Sequence, residues 1–483
     1  MDTEDTGRLP FINKLLYTSD QIGSSAIAQT RNLWLFFFLI TPQGGSSIPA
    51  IPSLNLGLFQ LETTLFAGIL LTAGRVIEAL DDPIIGWWSD RTRSRWGRRL
   101  PFVLFSTPFY ALFFWLLWLS PGGDATAVNA VYIFVVLELF FLSSTLSGGP
   151  YESLLPEIAR SHRDRMSIVA WQLYFGLLGA VLGLALTGVI KDAVGFQLMG
   201  AAVAIAGLAF RYLGLMGVWR HAPRDTPPAQ IALKAAFTAT LKNKQFLYFL
   251  PTFVFFQLAV AMVIAWLPFF VEAVLGEVQL FSWLPLVGGK SLGNGALTSL
   301  MGIAAVLGMS VGAFFLWRLS DTRTKRWVYS LSLLGTALFL PMLVFAGFIP
   351  GVPKLVQAMV IAFLVGFPMA GVNLLPKAIT ADITDYDELL TGHRREGVFY
   401  ATQNLFEKIG SSLSPLVLGA VFLLGRTAED PLGIRMVGPV AGLLAFLGFW
   451  LFRGYRLPNT VTAETVRAAG LDLGSRPLQT RNE

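Results

Sequence analysis

Long apolar segments recur along the whole chain, and their length constrains the fold more strongly than any other feature. A helix that crosses the hydrocarbon core of a bilayer needs about 20 mainly apolar residues. Twelve segments reach that length, near residues 14–40, 61–88, 100–120, 128–151, 165–190, 197–219, 246–272, 294–318, 328–349, 354–376, 398–424 and 436–453. The sequence therefore predicts an all-α membrane protein with twelve transmembrane helices in a lipid bilayer.

The composition excludes most other classes of protein. Of the 483 residues, 54% are hydrophobic and 14% are charged, whereas a typical soluble domain is about 25% charged. This argues against a soluble enzyme and a disordered chain. The sequence has no cysteine, which excludes disulfides, thiolate metal sites and a thiol nucleophile. It has no Walker phosphate-binding motif, which argues against an ATP-driven pump. We expect a protein that is not an enzyme and has no cofactor.

The apolar segments fall into two groups of six with a polar stretch between them. We predict four regions: an N-terminal six-helix bundle (1–219), a cytoplasmic linker (220–245), a C-terminal six-helix bundle (246–456) and a cytoplasmic tail (457–483).

The two groups also carry matching polar motifs. Ser89–Trp96 reads SDRTRSRW after the second span, and Ser320–Trp327 reads SDTRTKRW after the eighth. Leu-Leu-Pro recurs at 154–156 and at 374–376, after the fourth and tenth spans. The alternative is two unrelated basic loops, but the shared ends of the motifs favour an internal duplication. Duplicated halves are typical of secondary transporters, whose binding site lies between the halves.

Lysine and arginine are concentrated in alternate short loops, which predicts the orientation. The richest loops contain Arg91, Arg93, Arg95, Arg98 and Arg99, then Arg160, Arg163 and Arg165, then Arg323, Lys325 and Arg326. Residues 41–60 and 121–130 contain none. Because cytoplasmic loops carry the excess of basic residues, we predict a multi-pass protein of the plasma (inner) membrane with both termini in the cytoplasm. This pattern accounts for the net charge of +6 without a nucleic-acid partner.

Charged residues inside the second span point to a function. This span contains Arg75, Glu78, Asp81 and Asp82. Glu78 and Asp82 are four residues apart, so they share one helix face. Both cannot stay ionised there without a cation, a proton or a basic partner. Hard oxygen ligands suit Na⁺ or H⁺ better than a transition metal. The alternative is an internal ion pair between Arg75 and Glu78.

Two blocks of sequence resemble one known family. DPIIGWWSDRTRSRWGRR at 82–99 and ADITDYDELLTGHRREGVFYATQNLFEKIGSSL at 381–413 are similar to signatures of the glycoside–pentoside–hexuronide:cation symporters. These belong to the major facilitator superfamily, and the melibiose carriers are the type members. The resemblance implies two pseudo-symmetric six-helix halves and cation-coupled symport of a sugar or glycoside by alternating access. Distant relatives carry lysolipids, so a lysolipid or another amphipathic solute is the alternative cargo.

The resemblance also implies which residues bind the cation. Glu78 and Asp82 fall at the positions of the two coupling-ion carboxylates, Thr145 at a further cation-site position, and Lys408 at a lysine close to that site. Asp81 stands where melibiose carriers have an asparagine, which adds an acid and raises the chance of proton coupling. These five residues form the predicted cation site. The coupling ion is Na⁺, Li⁺ or H⁺, and we expect no metal other than a Na⁺ at Glu78 and Asp82.

The substrate site departs further from the family pattern. Ser25, Gly148 and Glu152 occupy the positions of sugar-binding acids and an aromatic residue in disaccharide carriers. The other candidates are polar or aromatic residues within the spans: Arg31, Trp171, Gln172, Asn373, Lys377, Gln403 and Asn404. For the polar candidates the alternative is a satisfied interhelical hydrogen bond, or for Lys377 a side chain that extends to the membrane surface.

The two basic loops also predict a cytoplasmic gate. Charge pairs between the halves there would hold the outward-facing state and separate as the halves rock. The candidates are Asp90, Arg91, Arg95 and Arg98 after the second span, and Asp321, Arg323 and Arg326 after the eighth. The alternative is positive-inside topology alone, which does not require the two aspartates. We expect a monomer that takes a small, sugar-like substrate.

One apparent enzyme motif has a simpler interpretation. Residues Gly308 to Gly312 match the G-x-S-x-G pattern of hydrolases, but they lie inside an apolar span with no strand before them. We interpret the two glycines, four residues apart, as a site of close helix packing.

Overall fold

A computed structural model gives the architecture of the protein. The structure describes residues 9–42, 50–55, 60–121, 126–159, 162–222, 240–276, 278–279, 291–392 and 395–471. In these ranges the chain is almost entirely helical. Two short antiparallel strand pairs join Leu54–Asn55 to Gln60–Leu61 and Val278–Gln279 to Ser291–Leu292.

Six spanning helices form the first half of the chain. They are α1 (Phe11–Ile40), α2 (Thr63–Arg91), α3 (Leu100–Leu116), α4 (Ala127–Glu152), α5 (162–194) and α6 (196–218). α5 begins as His162–Val181 and continues through a π-helical turn, Leu182–Leu186, into the helix Thr187–Val218. Gly195 interrupts that helix with φ 81° and ψ 173°. Glycine adopts positive φ at little cost, so α5 ends and α6 begins there.

Six more spanning helices form the second half. They are α7 (Lys244–Phe270), α8 (Asn294–Thr322), α9 (Lys325–Phe339), α10 (Lys354–Thr391), α11 (396–421) and α12 (Leu432–Phe452). α7 continues into a π-helical turn, Val271–Leu275, and α9 into a 3₁₀ turn, Leu340–Phe345. α11 consists of Glu396–Ser412 and Ser414–Val421, followed by the 3₁₀ turn Phe422–Leu424. Leu155–Ile158 and Ala463–Ala468 are two further short helices.

The predicted number of spanning helices is confirmed. Among the described residues, nine helical segments are long and apolar enough to cross a membrane. One of these, Asp164–Val218, contains both α5 and α6, on either side of Gly195. α1, with 30 residues, and α3, a shorter apolar helix of 17 residues, complete the twelve.

Helix α10 extends well beyond the predicted end of its span at residue 376. It continues through Pro376 to Thr391 and ends at Gly392, which has φ 75°. The sequence becomes polar after Pro376, which ends the apolar segment but not the helix. Backbone hydrogen bonding continues where apolar side chains are no longer needed, and a glycine in the left-handed conformation terminates it.

The helices pack as two bundles that meet along a few helix pairs. In the first half, α1 packs on α5 and α6, α2 on α4, and α3 on α4 and α6. In the second half, α7 packs on α11 and α12, α8 on α10, and α9 on α10 and α12. The halves meet where α2 contacts α11, α1 contacts α7, and α5 contacts α8. Residues 223–239 of the predicted linker lie outside the described residues, so the exact region boundaries stay predictions.

The glycines of the apparent hydrolase motif lie at a close helix contact. A Cβ atom added at Gly308 or Gly312 would overlap the backbone carbonyl of Phe363 or Phe367 on α10. Backbone contact of this kind is what small residues four apart permit, and it confirms the packing interpretation.

Candidate cation and substrate site

A small cavity lies where the two halves meet. Its volume is about 50 Å³, which is room for a few water molecules or one charged group. α1, α2, α4, α7 and α11 form its walls, with the residues Arg31, Asn32, Leu35, Phe36, Leu71, Arg75, Leu137, Phe141, Ala261, Ala265, Ser411, Ser414 and Pro415. Most of this wall is apolar, and the charged groups on it are two guanidinium groups.

Glu78 lies next to the cavity wall, between basic side chains from both halves. Its Oε2 is 3.2 Å from Nη1 of Arg75 on the same helix, and its Oε1 is 3.5 Å from Nζ of Lys408 on α11. Glu78 is only 7% exposed. The structure thus contains the internal pair with Arg75 and also brings Glu78 together with Lys408. The second contact is an ion pair between the two halves.

The other residues of the predicted cation site lie on α2 and α4. Asp81 is partly buried on α2, and Thr145 is buried on α4. The side chain of Asp82 lies outside the described residues. That these residues bind a cation therefore stays a prediction, which the position of Glu78 and Lys408 supports.

Arg31 and Arg75 share one hydrogen-bond acceptor at the cavity. Nη2 of Arg31 and Nη2 of Arg75 both donate to Oδ1 of Asn32, at 3.2 Å and 3.1 Å. Both guanidinium groups also face the ring of Phe141, at 5.3 Å and 5.0 Å from its centroid. Arg75 has Glu78 as a counter-charge. Within the described part of the chain, Arg31 forms no ion pair.

Helix α4 carries a partly buried acid, Glu138, that was not among the predicted site residues. Both carboxyl oxygens of Glu138 are buried, and within the described residues neither has a hydrogen-bond partner. A Cβ atom at Gly74 would lie 2.9 Å from Oε1 of Glu138, so this carboxyl group packs directly against α2. A single glutamate in the apolar fourth span was the available signal. Its place beside α2 adds a further carboxyl group near the predicted cation site.

The predicted substrate residues do not gather in one place. Of that set, Arg31 alone lines the cavity within the described residues. Gln403 accepts a hydrogen bond from Thr380 of α10 at 2.6 Å, which is the interhelical bond considered as the alternative. Asn373 donates to the carbonyl of Met369 in its own helix at 2.9 Å. This bond holds Oε1 of Gln403 against α10.

The remaining candidates lie on several surfaces. Gly148 faces open space, since a Cβ atom added there would meet nothing within 4 Å. The rings of Phe11 and Phe175 pack against Trp171, at 6.1 Å and 5.7 Å between centroids. Four of the side chains are exposed: Glu152, Asn373, Lys377 and Asn404. Two are partly buried: Ser25 and Gln172. A substrate role for each of these stays a prediction.

The described contacts at the predicted gate join residues of the same half. Nη2 of Arg98 pairs with Oε1 of Glu157 at 2.5 Å, and Nη2 of Arg326 donates to the carbonyl of Arg453 at 3.0 Å. Arg95 and Arg323 face the rings of neighbouring tryptophans, and Arg91 is exposed. The side chains of Asp90 and Asp321 lie outside the described residues. A gate at these loops stays a prediction.

At the opposite ends of the helices, the described contacts join the two halves directly. The carboxylate of Asp192 on α5 accepts hydrogen bonds from the backbone N–H groups of Gly295 (3.1 Å) and Ala296 (2.8 Å) at the start of α8. Nη1 of Arg426 donates to the carbonyl of Ile40 at 2.9 Å. Aromatic contacts add to this closure: Phe36 with Phe269, Phe37 with Phe269, and Phe36 with Phe422. Among the described residues, these contacts close this side of the molecule.

A second buried charge pair lies away from the cavity, inside the first half. Nε of Arg211 on α6 is 2.5 Å from Oδ1 of Asp20 on α1, and both side chains are almost fully buried. Nη1 of Arg211 also donates to the carbonyl of Ser147 on α4 at 3.2 Å. This pair ties three helices together. This pair was not predicted because its two residues are distant along the chain.

Together, fold and site define a class of protein: a polytopic membrane transporter built from two helical bundles, with a charged cavity between them. A crystal structure of the peptide transporter POT in complex with sulfate matches the fold with a TM-score of 0.64, at 13% identity, over 93% of this chain and 95% of that chain. The nucleoside transporter NupG matches with a TM-score of 0.62, at 14% identity, over 92% and 100%. At these identities the likeness concerns the fold alone. Residues 58–425 match the MFS/sugar transport protein family, and the chain belongs to that family.

Several curated proteins are similar in sequence. The uncharacterized symporter sll1374 of Synechocystis sp. is 27% identical over 87% of this chain and 86% of its own length. The sodium-dependent lysophosphatidylcholine symporter 1 of Xenopus tropicalis is 36% identical over 126 residues, which are 26% of this chain and 24% of that protein. The inner membrane symporter YicJ of Escherichia coli is 26% identical over 187 residues, 37% of this chain and 40% of that protein.

Proposed function

We propose that the protein is a secondary active transporter, and not an enzyme, that carries an organic solute together with a cation by alternating access. The observation that carries this proposal is the position of Glu78, a buried carboxylate held between Arg75 in its own half and Lys408 in the other half. The similarity to named symporters supports it. The family and the two-bundle fold also favour a transporter over an enzyme.

The ion pair between Glu78 and Lys408 suggests how a cation would be coupled to movement of the halves. In the structure Lys408 supplies, together with Arg75, the positive charge that a buried carboxylate requires. A cation that binds at Glu78, Asp81, Asp82 and Thr145 would take over that role and release Lys408. Contacts between the halves would change as a result, and the binding energy of the ion would bias the equilibrium between the two conformations. The ion is Na⁺, Li⁺ or H⁺.

A sugar or glycoside is the first candidate for the cargo. The family is that of MFS/sugar transport proteins, and the blocks at 82–99 and 381–413 resemble those of glycoside carriers. The second candidate is a lysolipid. The match to lysophosphatidylcholine symporters and the mostly apolar cavity wall favour it. We further propose that the protein acts as a monomer in the plasma (inner) membrane.

Counterflow in proteoliposomes tests the coupling. The experiment compares a panel of sugars and lysolipids, each with Na⁺, Li⁺ or a pH gradient, for the wild type, Glu78→Gln and Asp82→Asn. We expect one cation to stimulate uptake in the wild type and this stimulation to fall at least about tenfold in each variant, because a neutral amide no longer compensates a bound cation. Glu429→Gln, at an exposed position on the closed side, is the matched control. Cation-independent uptake, or full stimulation in Glu78→Gln, contradicts the proposal.

A further inference from the structure

Arg31 is the charged group on the cavity wall that, within the described residues, forms no ion pair. It is partly buried on α1, and its hydrogen bond goes to Oδ1 of Asn32, an oxygen that it shares with Arg75. The rings of Phe140 and Phe141 lie 5.5 Å and 5.3 Å from its Cζ atom. In the described part of the chain no carboxylate lies within ion-pair distance of it.

Two guanidinium groups that donate to one oxygen atom are close neighbours of like charge. In a mostly apolar cavity such an arrangement is costly, because burial disfavours each charge and the two repel. Glu78 offsets the charge of Arg75 at 3.2 Å, and it is also shared with Lys408 at 3.5 Å. A negative charge in the cavity would offset that of Arg31. Guanidinium groups present paired donors that match the oxygens of a carboxylate or a phosphate.

We propose that the cavity binds the anionic group of the cargo, a carboxylate or a phosphate monoester, and that Arg31 is the residue that recognises its charge. This inference rests on the proposed transport function and specifies its substrate class as an organic anion. The carboxylate of a sugar acid and the phosphate monoester of a lysophosphatidate share this chemistry. The apolar wall formed by Leu35, Leu71 and Leu137 would contact the carbon atoms next to the anionic group.

The test measures binding to the purified full-length protein in two pairs of ligands that differ in charge. One pair is a methyl glucoside and the corresponding methyl glucuronide, and the other is a monoacylglycerol and a lysophosphatidate. We expect the anionic member of at least one pair to bind tenfold or more tightly than its neutral partner. Arg31→Gln should remove this preference, and Arg31→Lys should retain part of it. Arg318→Gln is the matched control, because Arg318 also faces a phenylalanine ring, at 5.4 Å, but is exposed and away from the cavity.

The pair that shows the preference identifies the source of the anion, a sugar acid or a lipid. Equal binding within both pairs, no binding of either anion, or a preference that survives Arg31→Gln overturns the proposal. These outcomes are separate from the coupling test. Uptake of a neutral sugar that is stimulated by a cation and depends on Glu78 would support the proposed transport function. It would contradict the inference about an anionic cargo. An Arg31-dependent anion preference without cation stimulation would support this inference and contradict the proposed cation coupling.

Discussion

The buried pair of Asp20 and Arg211 shows how strongly single charges constrain this fold. Each side chain is at most 6% exposed, and the two atoms that pair are 2.5 Å apart. Removing one partner of a buried pair leaves the other charge uncompensated, at a cost of about 3–5 kcal/mol. We therefore expect Asp20→Asn to lower the free energy of unfolding by that amount, measured as a reduced thermal midpoint of the purified protein.

A double variant is the control for this prediction. In Asp20→Asn with Arg211→Met both charges are absent, so stability should recover towards that of the wild type. An Asp20→Asn protein that unfolds at the wild-type temperature would show that the pair does not contribute to stability.

The sequence predicted some of the buried and partly buried charged residues and missed others, for a physical reason. Glu78 and Lys408 were recognisable because an intramembrane charge is rare and each falls at a position that the family resemblance marks. Glu138 lies alone in an apolar span, and its neighbour Gly74 belongs to another helix. Asp20 has no sequence feature that identifies Arg211 as its partner. Pairing between helices depends on helix rotation and packing, which a hydrophobic pattern does not specify.

At the scale of elements, α5 and α8 meet so closely that side chains are excluded. A Cβ atom added at Gly188 would overlap the backbone carbonyl of Gly295. Asp192, one turn further along α5, accepts hydrogen bonds from the first turn of α8, where the helix dipole favours a negative charge. Substituting Gly188 should therefore separate the two halves on the closed side and make the cavity accessible from there.

Introduced cysteines test this expectation cleanly because the chain contains none. Ala265→Cys places a thiol on the cavity wall, and a membrane-impermeant maleimide is added from the closed side. With Gly188→Ala we expect the labelling rate to rise several-fold over that of Ala265→Cys alone. Gly302→Ala is the control, since a Cβ atom there would make an ordinary 3.6 Å contact with Leu184 of the same helix pair. Unchanged labelling would mean that this contact does not hold the side closed.

Helix number was predictable from apolar length, whereas helix ends were less so. Each predicted span contains a helix because a bilayer requires its backbone groups to be hydrogen-bonded within the segment. Outside the bilayer that requirement no longer marks the end of a helix. Helix α10 therefore continues beyond its apolar segment, through polar residues, to Thr391. The break at Gly195 falls between two predicted spans, 165–190 and 197–219, where Lys191 and Asp192 interrupt the apolar run.

At the scale of the whole molecule, the basic loops and the closed side lie at opposite ends of the helices. Arg95, Arg98 and Arg323 follow the ends of α2 and α8, whereas the contacts of Asp192 and Arg426 lie at the opposite ends of the helices. Loops rich in lysine and arginine remain in the cytoplasm. The orientation predicted from the sequence therefore makes the closed side extracellular and places both termini inside the cell.

Two single cysteines on opposite sides test this orientation in whole cells. Thr322→Cys lies at the end of α8 beside the basic loop, and Glu429→Cys lies in the loop before α12 on the closed side; both positions are exposed. We expect an impermeant maleimide to label Glu429→Cys in intact cells and Thr322→Cys only after permeabilisation. The wild type is the blank because it has no cysteine. The reverse pattern would invert the orientation, and the closed side would then face the cytoplasm.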